Sequence, residues 1–425
     1  MTVGTLPLDA GRSDWNLPSL ETLVLQLGAE IDAAFGSRAV TMLPTLTPVP
    51  DSHTHGKTLI LDLGGSTFRA CIMGLHGDGK YVLDCSREWS LDAEKEINTA
   101  FFQKLVHYAV TLPLDEHFPG SVTVGLSICF PFRQTRSNDA YLDAVGKGFV
   151  LAEEIRGLDV ARLLQQQLET ATNKPVHVRS VINDAVAVYV AGAYLYNCQL
   201  GLVLGTGLNA SASYEKSVIN TEMSCFGSSL KTLVTTWDLE MQPGYRQCKD
   251  AHLQPPLFQP LEYFCSGRYI GELLRLAIID LHSQNKLFPD TEIAATRQYE
   301  LTGEMVCRIY HGNVKEAVKI LKQFKAVCSP ADICVIRSLI EFLVARAARV
   351  LAAWILAFCQ RQHPESATVC VGYIGSFFQH FELYRQKCEA ALNSYTHPHG
   401  NPRFLLRLID HSTALGAAIS ACQIS

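Results

Sequence analysis

Asp184 is the residue of this chain best placed for acid–base chemistry. It follows an alternating run over residues 176–182 that reads as a strand, and it opens a helical run over 184–195. A carboxylate at a strand-to-helix switch stands at the mouth of an α/β sheet, where open doubly wound folds bind their ligands. Taken alone it is more simply an N-cap, a position that Asp favours. Two glycine turns change its company. The apolar run 58–63 ends in Asp62-Leu63-Gly64-Gly65-Ser66-Thr67, and the run 199–204 ends in Gly205-Thr206-Gly207-Leu208-Asn209. Glycines there permit positive φ and close backbone approach, while Ser66 and Thr67 add hydroxyl donors, so such a turn can face a phosphate with bare N–H groups. In isolation either turn is also an ordinary hairpin.

The elements that must position these groups read as two similar halves. Residues 20–35 form a helical arm, followed by a Pro/Thr/His-rich connection to residue 57. Runs 58–63, 68–75 and 81–89 then make a β-meander of antiparallel hairpins. Residues 74–80 nearly spell a phosphate-binding P-loop, but Tyr81 stands where its Ser/Thr must be and no helix follows, so that reading fails. A helix over 93–110, a strand over 121–130, a helix over 152–170 and the strand before Asp184 complete the first half. The second repeats it with helical insertions: strands over 199–204 and 210–214, helices over 261–281, 314–324 and 331–360, and a strand over 367–372 ending in Gly372-Tyr373-Ile374-Gly375-Ser376. A strand over 404–409 and a helix over 415–422 close the chain. Two such halves imply a cleft between them.

With 425 residues, 48% hydrophobic and 18% charged, the chain can bury a large core. A net charge of −5 offers no basic field for nucleic acid or an acidic membrane. The fourteen cysteines include no C-x-x-C pair and read as reduced thiols, and His53 and His55 lack a third ligand nearby. No leader segment opens the chain and no apolar run of about 20 residues suggests a bilayer span, which leads to the expectation of a cytoplasmic protein.

These pieces together resemble the hexokinase family, with its actin-like, ribonuclease H-like superfold. The likeness runs from about Thr41 to Ala421. Residues 61–69 resemble its first phosphate loop and 205–209 its second; Ile182-Asn183-Asp184 resembles its catalytic-base segment; Asn220-Thr221-Glu222 and Leu261-Glu262 resemble its two sugar-binding glutamates; Ser266-Gly267-Arg268-Tyr269 with Gly271-Glu272-Leu273 resembles its large-domain helix. The closer likeness is to fungal N-acetylglucosamine kinases, through Thr41-Met42-Leu43-Pro44, Gly64-Gly65-Ser66-Thr67, Ala185-Val186-Ala187-Val188-Tyr189, Leu257-Phe258-Gln259-Pro260 and Gly372 to Ser376. Fungal hexokinase-like regulators without kinase activity share much of this pattern.

The resemblance implies an α/β fold of two lobes flanking a cleft: an N-terminal arm of the large domain (1–57), a small domain (58–184) and a large domain (185–425), hinged near Asp184 and the C-terminal helix. It implies ATP and Mg²⁺ as cofactors and a sugar as substrate. Asp184 would accept the proton of the sugar 6-hydroxyl. Cys129, Phe130, Lys147, Asn183, Asn209, Glu222 and Glu262 would bind the sugar. Gly64, Gly65, Ser66, Thr67, Gly205, Thr206, Gly207, Gly375 and Ser376 would line the nucleotide. Arg69 would hold the first turn or reach phosphate, and Asp62 would meet Mg²⁺ through water.

Four departures from the family pattern bear on function. Cys129 stands where a serine is usual, and Gly146 where a threonine precedes the lysine; both losses thin the sugar pocket. They either make room for an acetamido group or mark a disused site. Ile374 replaces the aspartate of glucose enzymes, and residues 410–416 lack their glycine-rich turn. The readings are a kinase making N-acetylglucosamine 6-phosphate, a glucose or mannose hexokinase, and a non-catalytic nutrient sensor with a protein partner.

Overall fold

In a computed structural model of the chain, the alternation over residues 55–90 folds as three antiparallel strands that found the first of two large sheets. The structure describes residues 17–37, 40–91, 95–142, 145, 149–215, 217–242, 258–289, 291–294, 296–363, 365–396 and 402–424. The strands are β1 (Leu43–Pro48), β2 (His55–Leu63), β3 (Thr67–His76), β4 (Tyr81–Ser90), β5 (Glu96–Ile97), β6 (Val122–Ile128), β7 (Val150–Leu151), β8 (Val176–Asn183), β9 (Leu200–Leu204), β10 (Leu208–Tyr214), β11 (Ser217–Asn220), β12 (Thr368–Ile374) and β13 (Arg403–Leu408). The helices are α1 (Leu20–Ser37), α2 (Thr99–Ala109), α3 (Leu114–His117), α4 (Val160–Thr172), α5 (Asp184–Tyr196), α6 (Thr236–Met241), α7 (Pro260–Cys265), α8 (Gly267–Ser283), α9 (Gly303–His311), α10 (Val314–Leu321), α11 (Pro330–Gln362), α12 (Ser376–His380), α13 (Glu382–Ser394) and α14 (Ser412–Gln423).

The first sheet has the order β4-β3-β2-β6-β8 and the second β1-β11-β10-β9-β12-β13. Leaving out β1, the two orders match strand for strand. Each is an antiparallel meander to which two strands are added in parallel beside its first member. Between them lie α5 and α14. Ile60 and Met73 of the first sheet, Val186 and Tyr189 of α5, and Leu415 and Ile419 of α14 share one buried cluster. The C-terminal helix is therefore packed where the halves meet.

Five local features differ from the sequence reading. The Pro-rich connection contains β1, which pairs with β11 at a sheet edge, where a missing proline N–H is tolerated. α2 begins at Thr99 because Asn98 accepts from Phe101 N, and α4 begins at Val160 because Asp159 accepts from Ala161 N and Arg162 N. The single helix expected over 261–281 is two, broken at Ser266, whose backbone is extended (φ −84°, ψ 155°). Finally, α11 is long and apolar enough to cross a membrane by length and composition, contrary to expectation. Its most apolar stretch is 89% buried inside the protein, which makes it a core helix.

Candidate active site

Parallel pairing brings the small-lobe residues to one edge. In register, Leu63 neighbours Ile128 and Ile128 neighbours Asn183, so the first glycine turn, Cys129 and the Asn183–Asp184 step all follow the carboxyl ends of adjacent strands. Cys129 N donates to Leu63 O at 3.0 Å. Asn183 caps α5 by accepting from Ala185 N at 3.0 Å, and Asp184 Oδ1 accepts from the same N–H at 2.8 Å. Asp184 is thus a half-buried first-turn residue while Asn183 takes the cap, which corrects the simpler N-cap reading.

The first turn is closed by Gly64 N donating to Thr67 O at 2.9 Å and Leu91 N to Ser66 O at 2.7 Å. Lys95, which the sequence pattern did not single out, adds a cation: its Nζ donates to Gly65 O at 3.3 Å and lies 4.3 Å from the Phe149 ring. Arg69 is held in a two-toothed pair with Glu88, at 2.7 and 3.2 Å, while its Nη1 stands 4.0 Å from Asp62 Oδ2. Of its two expected roles, this geometry favours bracing the turn. Thr413 Oγ1, at the start of α14, donates to Asp62 Oδ2 at 2.6 Å. Burial raises the Asp62 pKa, with the Thr413 hydroxyl and Arg69 opposing it and Asp184 adding to it. A desolvated carboxylate beside a phosphate turn, with its nearby arginine committed to Glu88, suits a hydrated divalent cation. Among the described residues no group of three or more His, Cys, Asp or Glu could hold a metal by itself.

In the large lobe, Asn209 Nδ2 donates to Asn220 Oδ1 at 2.9 Å and Asn220 Nδ2 to Glu222 Oε1 at 2.7 Å. Glu222 sits in the left-handed region (φ 46°), an unusual conformation for glutamate that this chain of bonds accompanies. Burial pushes its pKa up to about 7, against the hydrogen bond from Asn220, and the charge of Asp184 pushes the same way. Asp184 therefore acts electrostatically on Asp62 from one lobe and Glu222 from the other.

Glu262 is tied to the second glycine turn: its Oε2 accepts from Leu208 N at 2.8 Å, and a Cβ at Gly207 would come within 2.9 Å of that oxygen. The helix break serves the same turn. Ser266 Oγ donates to Thr206 O at 2.8 Å and Gly267 N to Gly205 O at 2.9 Å. Neither Gly64, Gly205 nor Gly207 has positive φ, so close approach, and not left-handed backbone, is what they supply. Gly375 does have it (φ 121°), and a Cβ there would lie 2.2 Å from Leu204 O. That places the Gly375–Ser376 turn directly on the second glycine turn, with the Thr206 and Ser376 side chains exposed beside it.

Two expected pocket residues stand apart. The Phe130 ring is buried in the small-lobe core, edge-on to Phe149 at 5.0 Å, and is a packing element instead of a wall of the cleft. Lys147, with Gly146, lies outside the described residues. Asn220 and Gln259 were present in the quoted motifs without an assigned role. Asn220 links Asn209 to Glu222, and Gln259 Nε2 donates to Ser224 Oγ at 3.0 Å two residues from Glu222.

Comparison with known proteins decides the family. Two hexokinase profiles match residues 14–194 and 199–423. The chain belongs to the hexokinase family. Hexokinase-family proteins are sugar kinases that use ATP, generally with Mg²⁺. N-acetylglucosamine kinase 1 of Candida albicans is 27% identical, over 90% of this chain and 86% of that protein. Kluyveromyces lactis hexokinase is 24% identical, over 95% of this chain and 88% of that protein. The hexokinase of Schistosoma mansoni, solved with glucose, superposes with a TM-score of 0.78 at 25% identity, covering 96% of each chain. This hexokinase-family chain thus has the two-lobed hexokinase fold.

Proposed function

We propose that this hexokinase-family chain transfers the γ-phosphoryl group of ATP to the 6-hydroxyl of N-acetylglucosamine, in amino-sugar catabolism. The observation that carries the reading is the polar chain Asn209–Asn220–Glu222 beside Asp184. Fixed amide and carboxylate groups converging near a general base are what recognition of a ring of hydroxyls requires. The preference for an acetamido sugar is supported by the likeness to the Candida enzyme and by Cys129 in place of a serine.

In this reading Asp184 takes the proton of the 6-hydroxyl as that oxygen bonds to the γ-phosphorus. The bond from phosphorus to the β–γ bridging oxygen breaks, and ADP leaves. Backbone N–H groups of the two glycine turns bind phosphate oxygens from opposite lobes, and Lys95 adds positive charge behind the first. Mg²⁺, when bound, neutralises phosphate charge, and Asp62 is the residue that would hold it, through water. Glu222 and Glu262 orient the sugar, and closure of the lobes excludes water that would otherwise take the phosphoryl group.

The thinned small-lobe side at Cys129 favours a second reading, a sugar sensor without turnover. The deciding experiment is ADP release from Mg²⁺-ATP with N-acetylglucosamine, glucose and mannose in turn. Fastest turnover with N-acetylglucosamine is the expected result. Faster turnover with glucose or mannose would make the protein a glucose-type hexokinase, and none with any sugar by folded protein would make it the sensor.

A further inference from the structure

We infer that Thr413 is a positioning residue for the metal–nucleotide site, and that it acts by fixing the orientation of the Asp62 carboxylate. This rests on reading Asp62 as the carboxylate beside the metal-bound phosphates. The two residues are 351 positions apart, and the bond of 2.6 Å between them joins the last helix of the chain to the second strand.

Three observations carry the inference. First, Thr413 lies in the first turn of α14, where no helical carbonyl one turn back can take its hydroxyl proton. The hydroxyl is committed instead to a carboxylate, a charge-assisted bond about twice as strong as a neutral one. Second, Thr413 Oγ1 and Arg69 Nη1 both approach Oδ2, and the Ser127 hydroxyl on the neighbouring strand also supports the charge of this carboxylate, so the Asp62 side chain is held by groups from three elements. The Thr413 bond, at 2.6 Å, is shorter than the 4.0 Å approach of Arg69, and it fixes Oδ2. Third, α14 enters through His411 in the left-handed conformation (φ 53°), and its buried face is clamped between the two sheets. The donor is therefore carried by a rigid element that touches both halves of the protein, while the acceptor belongs to the small-lobe sheet.

Groups that orient a metal-associated carboxylate without touching the ion typically change metal affinity by about 10–100-fold when removed. The test uses the full chain with Mn²⁺–ADP as probe, followed by electron paramagnetic resonance, and metal-free ADP as control. Thr413→Val is expected to weaken Mn²⁺–ADP binding about tenfold while leaving metal-free ADP within about twofold, and Thr413→Ser is expected to restore it. Thr413→Ala, which needs less room, should behave as the valine variant, so the test survives if valine prevents folding. Equal losses with and without metal, or no loss, would overturn the role. The two readings separate cleanly. A protein that phosphorylates sugars but whose Mn²⁺–ADP affinity ignores Thr413 refutes the positioning role alone. One that shows the Thr413-dependent affinity yet phosphorylates no sugar refutes the kinase reading alone.

Discussion

Glu222→Gln should stabilise this protein at neutral and alkaline pH while abolishing tight sugar binding. Glu222 is half-buried, bonded to Asn220 and within electrostatic reach of Asp184, and its pKa is raised from 4.5 to about 7, loss of solvent being the largest cause. Between those two values the folded protein retains a proton that the unfolded chain has lost. Its stability therefore falls as pH rises through that window, and the loss is complete above about 7. A displacement of that size corresponds to about 3 kcal/mol, at 1.36 kcal/mol per pK unit. Glutamine has the shape of the protonated acid, keeps an oxygen to accept from Asn220 Nδ2, and carries no charge to bury or to repel Asp184. The assay is the melting midpoint of wild type and variant from pH 4.5 to 8.5. Near pH 4.5 the midpoints should coincide, and at pH 8 the variant should melt roughly 3–4 °C higher. Effects of titrating groups that do not interact with Glu222 cancel in the difference. A difference that does not change with pH, or a variant less stable at pH 8, would refute the argument that the Glu222 charge is held at a cost.

The same electrostatic arrangement makes Asp184→Asn a clean test of the base, because the amide keeps the size and removes one negative charge. Turnover should fall by about 10²–10⁴ while calorimetric sugar affinity stays within a few-fold. Gly375→Ala puts a methyl 2.2 Å from Leu204 O at a φ of 121°, so the variant should raise the KM for ATP and lower the melting midpoint, read by steady-state kinetics and calorimetry. In the large-lobe core, Arg346 is 1% exposed and donates to both oxygens of Asp238, itself fully buried. Arg346→Met leaves that carboxylate unpaired and should cost about 3–5 kcal/mol in urea denaturation.

Most of the scaffold could be read from local pattern, and most of the site's wiring could not. Alternation of apolar residues locates β2 to β4, β6, β8, β9 and β10 because a half-buried strand writes its two faces into neighbouring residues. Asp184 and both glycine turns follow directly from where those strands stop. β1 escapes the same reasoning because Pro44 and Pro48 are strand breakers everywhere but at an edge, and only the pairing with β11 reveals that this is an edge. The break at Ser266 is equally invisible, since apolar residues continue through it. The extended backbone there is held by bonds to Thr206 and Gly205 some 60 residues earlier. Thr413 and Lys95 belong to the same class: each is an unremarkable residue whose partner, Asp62 or the Gly65 carbonyl, is supplied by the fold. The division has a physical cause. A strand or helix is selected by contacts a few residues away, whereas a cleft that holds charge must gather donors from separate elements. The sequence neighbours of such donors carry no trace of that gathering.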